Sequence, residues 1–353
     1  MPGRLTVDVV GCGEIAQIMH LPHLFERSDA CTVRAICERD PHVLKEVADR
    51  FGIAATFTDH REMLRDSPAD VLLVLSSGDH APIVLDGLAA DMDVFVEKPL
   101  CYSIRDAREI ALQAKASGRT VMVAYSRLFD TAFTAFREAV RGDSGPVHLR
   151  AVAELPMDYH YRAHLDVVRP PGWTPPAAAP EWGGSWDYLR QEVLFNLAIH
   201  EIYCLRVLTG VARPEPLLVT DVLDRRGIEA SWQAGPNVHV SMGVLTLDTI
   251  GGGYVEEFRA VSRSATHVLE YPSIYLKNVP AKLSTTAPSG GGLATTSTLG
   301  AYASPFKAEL DHFFEVLAGR RQCLSPAEDA VHDVETLNRL CALARERRGD
   351  APR

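Results

Sequence analysis

Between residues 5 and 125 the chain alternates two kinds of apolar pattern. Short, continuous apolar runs rich in β-branched residues lie at 7–10, 31–37, 71–75, 94–96 and 121–124. Runs of that length without polar alternation predict strands buried on both faces. Between them lie segments with helical spacing. In one, Asp40 and Pro41 stand as cap and first-turn proline, Leu44, Val47, Ala48 and Phe51 form the apolar stripe, and Gly52 stops it. Further helices are predicted from about 80 to 90, and from Ile104, capped by Ser103, to Gly118. Strand and helix in turn predict an α/β domain over 1–125, a Rossmann-type doubly wound parallel sheet with helices on both faces.

From about residue 145 the rhythm changes. Longer strands are predicted over 147–155, 217–223, 238–247, 254–261 and 267–276, and an apolar helix over 189–208 is ended by Gly210. This pattern predicts a C-terminal α+β domain over 126–353 with an open, mostly antiparallel sheet. Two stretches read as irregular, 169–184 with its prolines and tryptophans, and 284–305, rich in Gly, Ser and Thr. Loops of that length are lids or disordered segments, and both readings stay open for 284–305. Two closing helices, from Pro305 and from Pro326 with Ser325 as cap, are expected to pack back on the first domain.

Composition narrows the partners. A net charge of -10 over 353 residues argues against a polyanion-binding surface, so no nucleic acid is expected. No apolar run approaches the roughly 18 residues of a membrane helix. The first strand begins almost at once, which leaves no room for a signal peptide, and seven scattered cysteines without a C-x-x-C pair read as reduced thiols. A cytoplasmic protein is the expectation. His160-x-x-x-His164 lacks matching partners, and no metal site is expected.

Candidate chemistry begins directly after the first strand. Gly11, Gly13 and Ala16 follow at the spacing of the dinucleotide fingerprint. Gly11 permits a tight exit, Gly13 lets backbone approach a pyrophosphate, and Ala16 lets the next helix pack closely. That helix, from near Glu14, would aim its unpaired N–H groups at the phosphates. Glu38, at the end of the second strand, stands where an acid accepts hydrogen bonds from the ribose hydroxyls, which favours NAD. Arg39 keeps NADP open, because a guanidinium could hold a 2′-phosphate. Glu97-Lys98-Pro99 leaves the fourth long strand at the same sheet edge. A lysine there can hydrogen-bond a substrate oxygen and stabilise its negative charge, and Pro99, as a cis bond, would fix its direction. Away from the glycine loop the same residues would be only a solvated pair at a strand end.

The chain here resembles the Gfo/Idh/MocA oxidoreductase family, named for glucose-fructose oxidoreductase, inositol dehydrogenase and rhizopine catabolism. The resemblance rests on Gly11-Cys12-Gly13-Glu14-Ile15-Ala16 running into Met19-His20-Leu21-Pro22, Ser76-Ser77-Gly78-Asp79-His80, Glu97-Lys98-Pro99 and Tyr125-Ser126-Arg127-Leu128-Phe129. It covers the first domain. In the second it rests on the order of elements and the helix bearing His200. It implies cofactor contacts at Gly11, Gly13, Glu14, Ile15 and Ala16, at Glu38 and Arg39, and at Ser76, His80, Glu97, Lys98 and Arg127. It also implies that Lys98 and His200 flank the substrate, with Tyr125, Tyr159, Glu192 and Asn196 as further substrate contacts.

Three departures fall on the substrate side. Asn196 stands where the family has an aspartate, Ser76 and Ser77 replace a proline and an asparagine, and Gln191 and Glu192 replace small residues. Positions 192, 196 and 200 share one face of an α-helix. An amide at 196 orients His200 without raising its basicity as a carboxylate would. His200 by pattern alone is a histidine satisfied inside an apolar helix; the resemblance makes it the proton relay. Tyr161, Arg162, Trp182 and Trp186 also lie where they could reach a substrate, or simply pack.

The resemblance thus implies an NAD(P)-dependent oxidoreductase acting on a sugar, keto-sugar, polyol or similar cyclic alcohol or ketone. Two alternatives stay open: an enzyme that uses NAD transiently in epimerisation, elimination or glycoside cleavage, and a nucleotide-binding sensor or scaffold that has lost catalysis. The open sheet needs its second face covered, so a homodimer or homotetramer is expected.

Overall fold

The computed structural model describes residues 4–66, 69–143, 145–156, 165–173, 184–247, 253–276 and 278–350. These form two compact units. The first takes the chain as far as Ser126, the described part of His164–Thr174, and Phe306–Val334; the second takes the remainder.

Continuous apolar runs build the first unit. Strands β1 (Leu5–Val10), β2 (Cys31–Cys37), β3 (Ala55–Phe57), β4 (Val71–Val74), β5 (Asp93–Glu97) and β6 (Val121–Ala124) pair in parallel in the order β3-β2-β1-β4-β5-β6. Val7, Val9, Leu72, Val74, Phe95 and Val123 are wholly buried, as strands covered on both faces require. The strand order reverses between β1 and β4, and in such sheets the crevice beyond their carboxyl ends is the binding edge. Strand β3 was not predicted: it has three residues and is only half covered. Helix Pro41–Phe51 starts where Asp40 accepts from the His42 and Val43 N–H groups, and ends at Gly52 with φ +67°. Helix Pro305–Leu317 buries Phe306, Leu310 and Phe313, and its aromatic rings meet His20 and Phe95. Farther along, Ser325 exchanges hydrogen bonds with Val123, adding a short pairing beside β6.

The second unit is built on an eight-stranded sheet. Its strands are β7 (Val147–Pro156), β8 (Pro216–Val222), β9 (Gly227–Gln233), β10 (Val238–Leu247), β11 (Val255–Val261), β12 (Thr266–Glu270), β13 (Lys282–Ser289) and β14 (Gly292–Leu299). The order is β14-β13-β12-β11-β7-β10-β9-β8, antiparallel throughout except between β7 and β10. Helix Thr131–Gly142 packs on one side of β12 and β13, and the helix bearing His200 packs on β7, β9 and β10.

Four expectations are corrected here. Residues 284–305 are neither an irregular loop nor a disordered segment: most of them belong to the hairpin β13–β14. Its strands read as a loop because Ser and Thr show no apolar alternation, yet they are turned by Gly290 and Gly291 and joined across the ladder by Ser284–Ser297 and Thr286–Thr295 hydroxyl bonds. Strand β12 stops at Glu270, two residues before Pro272, which has no N–H to donate. Strand β9 was missed altogether. The helix expected over 189–208 as one α-helix is a π-helix over Leu189–Ala198 followed by an α-helix over Ile199–Thr209. Leu189, Val193, Leu194, Phe195, Ala198 and Ile199 are buried on several sides of it, so no single apolar stripe holds the winding to 3.6 residues per turn.

Candidate functional site

The carboxyl edge of the first sheet begins with the glycine loop. Gly11 has φ +95°, and a Cβ there would stand 2.3 Å from the Ser76 nitrogen. Only glycine lets the exit of β1 run backbone against backbone with the loop after β4. Gly13 is exposed, and an added Cβ would meet nothing within 4 Å, so the loop presents an open backbone cradle. Helix begins at Glu14 and Ile15 and continues as a π turn over Ala16–His20, with Ala16 buried against the sheet. Glu38 closes the other side. Its Oε2 accepts from the Cys12 N–H at 2.9 Å and its Oε1 from the Asp40 N–H at 3.2 Å, while Arg39 is exposed. An open glycine cradle at the start of a helix, with an acceptor carboxylate beside it, fits a dinucleotide.

At the end of β5 the Lys98–Pro99 bond is cis. Glu97 is only 12% exposed and accepts from two directions, His20 Nε2 at 2.8 Å and the Lys98 N–H at 3.1 Å. Burial works against its charge, but the His20 hydrogen bond and the nearby Lys98 and His80 hold its carboxyl below the usual range. His80 is buried with both ring nitrogens on carbonyl oxygens, Nε2 on Ser76 at 2.6 Å and Nδ1 on Pro99 at 2.7 Å. Its ring thus lies between the loops after β4 and β5 and touches both. The structure therefore gathers Ser76, His80, Glu97 and Lys98 at one edge, and it adds His20 as the partner of Glu97. Tyr125, at the end of β6, is wholly buried.

The helix of the second unit carries Glu192, Asn196 and His200. The Asn196 amide donates to Glu192 Oε2 at 3.1 Å. His200 lies in the α-helical part, its Nδ1 3.1 Å from the Tyr203 hydroxyl. That hydroxyl oxygen accepts from the Arg127 N–H at 3.3 Å. Arg127 itself spans Glu256 with two bonds, Nε at 2.7 Å and Nη2 at 2.6 Å, and lies 4.3 Å over the Tyr271 ring. Tyr254 adds a third bond to Glu256 at 2.6 Å. The Arg127 side chain, which the resemblance assigns to the cofactor, is thus held by a buried carboxylate of β11. Trp186 opens the turn before the helix and donates to Asp350 at 2.8 Å. Tyr159, His160, Tyr161, Arg162, His164 and Trp182 lie outside the described residues.

One group at the glycine loop had no signal in the sequence. Gln17 donates to the Cys12 carbonyl at 2.8 Å and to the Val168 carbonyl at 2.9 Å, and accepts from the Val168 N–H at 2.8 Å. Arg50 holds Asp166, and Arg169 reaches Glu14 at 3.3 Å. The contacts to residues 166–169 join positions more than a hundred apart, beyond the reach of any local pattern.

Residues 5–125 match a family profile whose description is an oxidoreductase family with an NAD-binding Rossmann fold, GFO_IDH_MocA. The match covers the nucleotide-binding sheet of the first unit, which is similar to that of the Gfo/Idh/MocA oxidoreductases. Over 162 residues it is 30% identical to the myo-inositol 2-dehydrogenase of Thermotoga maritima, covering 44% of this chain and 48% of that relative. The chain spans about half the length of the curated relatives it matches. Solved structures extend the likeness of fold to nearly the whole chain. An Agrobacterium radiobacter oxidoreductase in complex with NAD+, L-tartaric acid and magnesium covers 97% of this chain and 96% of its own, with a TM-score of 0.72 at 16% identity. The 3-ketoreductase KijD10 of Actinomadura kijaniata, in complex with NADP, covers 95% and 96%, with a TM-score of 0.73 at 16% identity.

The helix bearing Asn196 and His200 departs from the pattern that the resemblance implies. Its Asn196 is bonded to Glu192, a carboxylate where the family resemblance implies a small residue. The helix that carries both is π-wound, so position 200 is reached with a different rotation from that of a plain α-helix.

Proposed function

We propose that the protein is an NAD-dependent dehydrogenase or reductase of a sugar, keto-sugar, polyol or similar cyclic alcohol or ketone, working in the cytoplasm. The observation that carries this reading is the Glu97-Lys98-Pro99 turn, braced by His20 and His80 on the same sheet edge as the Glu38-closed glycine loop. Nicotinamide, when bound, supplies or accepts the hydride. Lys98 hydrogen-bonds the substrate oxygen and stabilises its developing charge, and His200 relays the proton, with Asn196 and Tyr203 orienting its ring. The family's alcohol-oxidising relatives support the substrate class.

Glu38 supports NAD over NADP. Both its oxygens are fixed by backbone N–H groups, so a 2′-phosphate would meet a held negative charge. NADH is expected to bind more tightly than NADPH in a fluorescence titration; equal affinity would remove Glu38 from cofactor choice. Lys98→Met is expected to lower turnover on any accepted alcohol or ketone by about a hundredfold or more while NADH affinity survives. Unchanged turnover would take the lysine out of the chemistry.

A further inference from the structure

Residues 165–173 lie on the nucleotide side of the first unit, held there by side chains of the glycine-loop helix. The Gln17 amide bonds both the N–H and the carbonyl of Val168, as a neighbouring strand would, and the same amide holds the Cys12 carbonyl within the Gly-x-Gly turn. Arg50 holds the preceding turn through the Asp166 carbonyl and carboxylate. Anchors at Asp166 and Val168 leave little freedom to the residue that follows, Arg169. Its guanidinium is 17% exposed, lies 4.5 Å over the Trp173 ring and reaches Glu14 at 3.3 Å.

Glu14 is the first residue of the helix whose N–H groups face the open cradle at Gly13. A carboxylate there opposes a pyrophosphate, since both seek the same positive end of the helix. Arg169 answers that conflict. A planar fork of five donors can hold a carboxylate and then turn part of itself to a phosphate, and stacking on Trp173 fixes its plane while it does so. We propose that Arg169, delivered by the strap 165–173, binds the pyrophosphate of the dinucleotide and neutralises Glu14 beside it. The inference rests on the dinucleotide reading of the glycine loop and adds to it a residue remote in sequence.

The test is a binding measurement on the full chain, with NADH followed by fluorescence and ADP-ribose by calorimetry. Arg169→Ala is expected to weaken both ligands alike by about tenfold or more, with Arg169→Lys in between, and the deficit should shrink as salt rises. Glu14→Gln, which removes the competing carboxylate, should tighten ADP-ribose. Wild-type affinity in Arg169→Ala, or a loss confined to NADH with ADP-ribose unchanged, would overturn the assignment, because the pyrophosphate is common to both ligands. A tie that is only structural would lower the melting temperature of Arg169→Ala and leave both dissociation constants alone, which also overturns it. If the wild-type chain binds neither ligand, the dinucleotide reading itself fails, an outcome distinct from failure at Arg169 alone.

Discussion

Glu309 shows how one residue can leave a measurable mark without touching a ligand. It sits in helix Pro305–Leu317 with no exposed surface, and neither carboxylate oxygen meets a hydrogen-bond partner among the described residues. Burial, then the nearby charge of Glu97, pushes its carboxyl well above the usual range. The native state therefore keeps a proton that the unfolded chain releases above about pH 4.5. Where the folded state binds the extra proton, stability falls as pH rises, by up to about 1.4 kcal/mol per pH unit until the native group also ionises. Glu309→Gln is expected to remove that slope: its stability relative to wild type should improve steadily between pH 5 and pH 8 in denaturant titrations. Parallel curves for the two proteins would mean that Glu309 is ionised in the fold. The sequence offers no hint of this group, since a glutamate in an amphipathic helix reads as solvated. By contrast the places of Gly11, Gly13, Ala16, Glu38 and Lys98 were legible, because each lies within a few residues of a strand end.

At the scale of elements, helix Pro41–Phe51 links stability to the cofactor edge. Asp40 caps it by accepting two N–H groups, while its own backbone N–H holds Glu38. Asp40→Ala removes the cap and keeps that N–H. The expected result is a stability loss of about 1 kcal/mol with NADH affinity nearly unchanged; a large loss of affinity would show that the cap, and not the turn, places Glu38. Elements with local signals of this kind were predicted close to where they lie: the cap and glycine of this helix, the apolar runs of β1, β4 and β5, and the long strand β10. Elements whose stability is supplied by neighbours were not. Strands β13 and β14 carry Ser and Thr on both faces and gain their order from pairing. The π-wound stretch Leu189–Ala198 has an apolar circumference in which the winding leaves no distinct trace. The strap 165–173 is held by Gln17, Arg50 and Glu14, which no window of sequence around it contains.

At the scale of the whole molecule the second unit leaves a sheet face to account for. Along β11, Phe258 and Ala260 are buried under helices while Val255, Arg259 and Val261 are exposed; along β7, Leu149 and Ala151 are buried while His148 and Arg150 are exposed. The uncovered face thus mixes apolar residues with cations, and Glu154, Glu229 and Glu257 lie on the same side. A net charge of -10 would oppose random association, but a face carrying both signs can match a copy of itself about a two-fold axis. We propose a homodimer or homotetramer joined through this face. Sedimentation should give the mass of two or four chains. Val152 pairs with Glu257 on β11 and Gly243 on β10, near the middle of the face. Val152→Glu would bury an unpaired charge in the contact beside Glu257 and is expected to lower the mass to one chain while circular dichroism stays native. A wild-type chain that sediments as a monomer, or a Val152→Glu variant that keeps the full assembly, would place the contact elsewhere or remove it, and the exposed valines of β11 would then be ordinary surface residues.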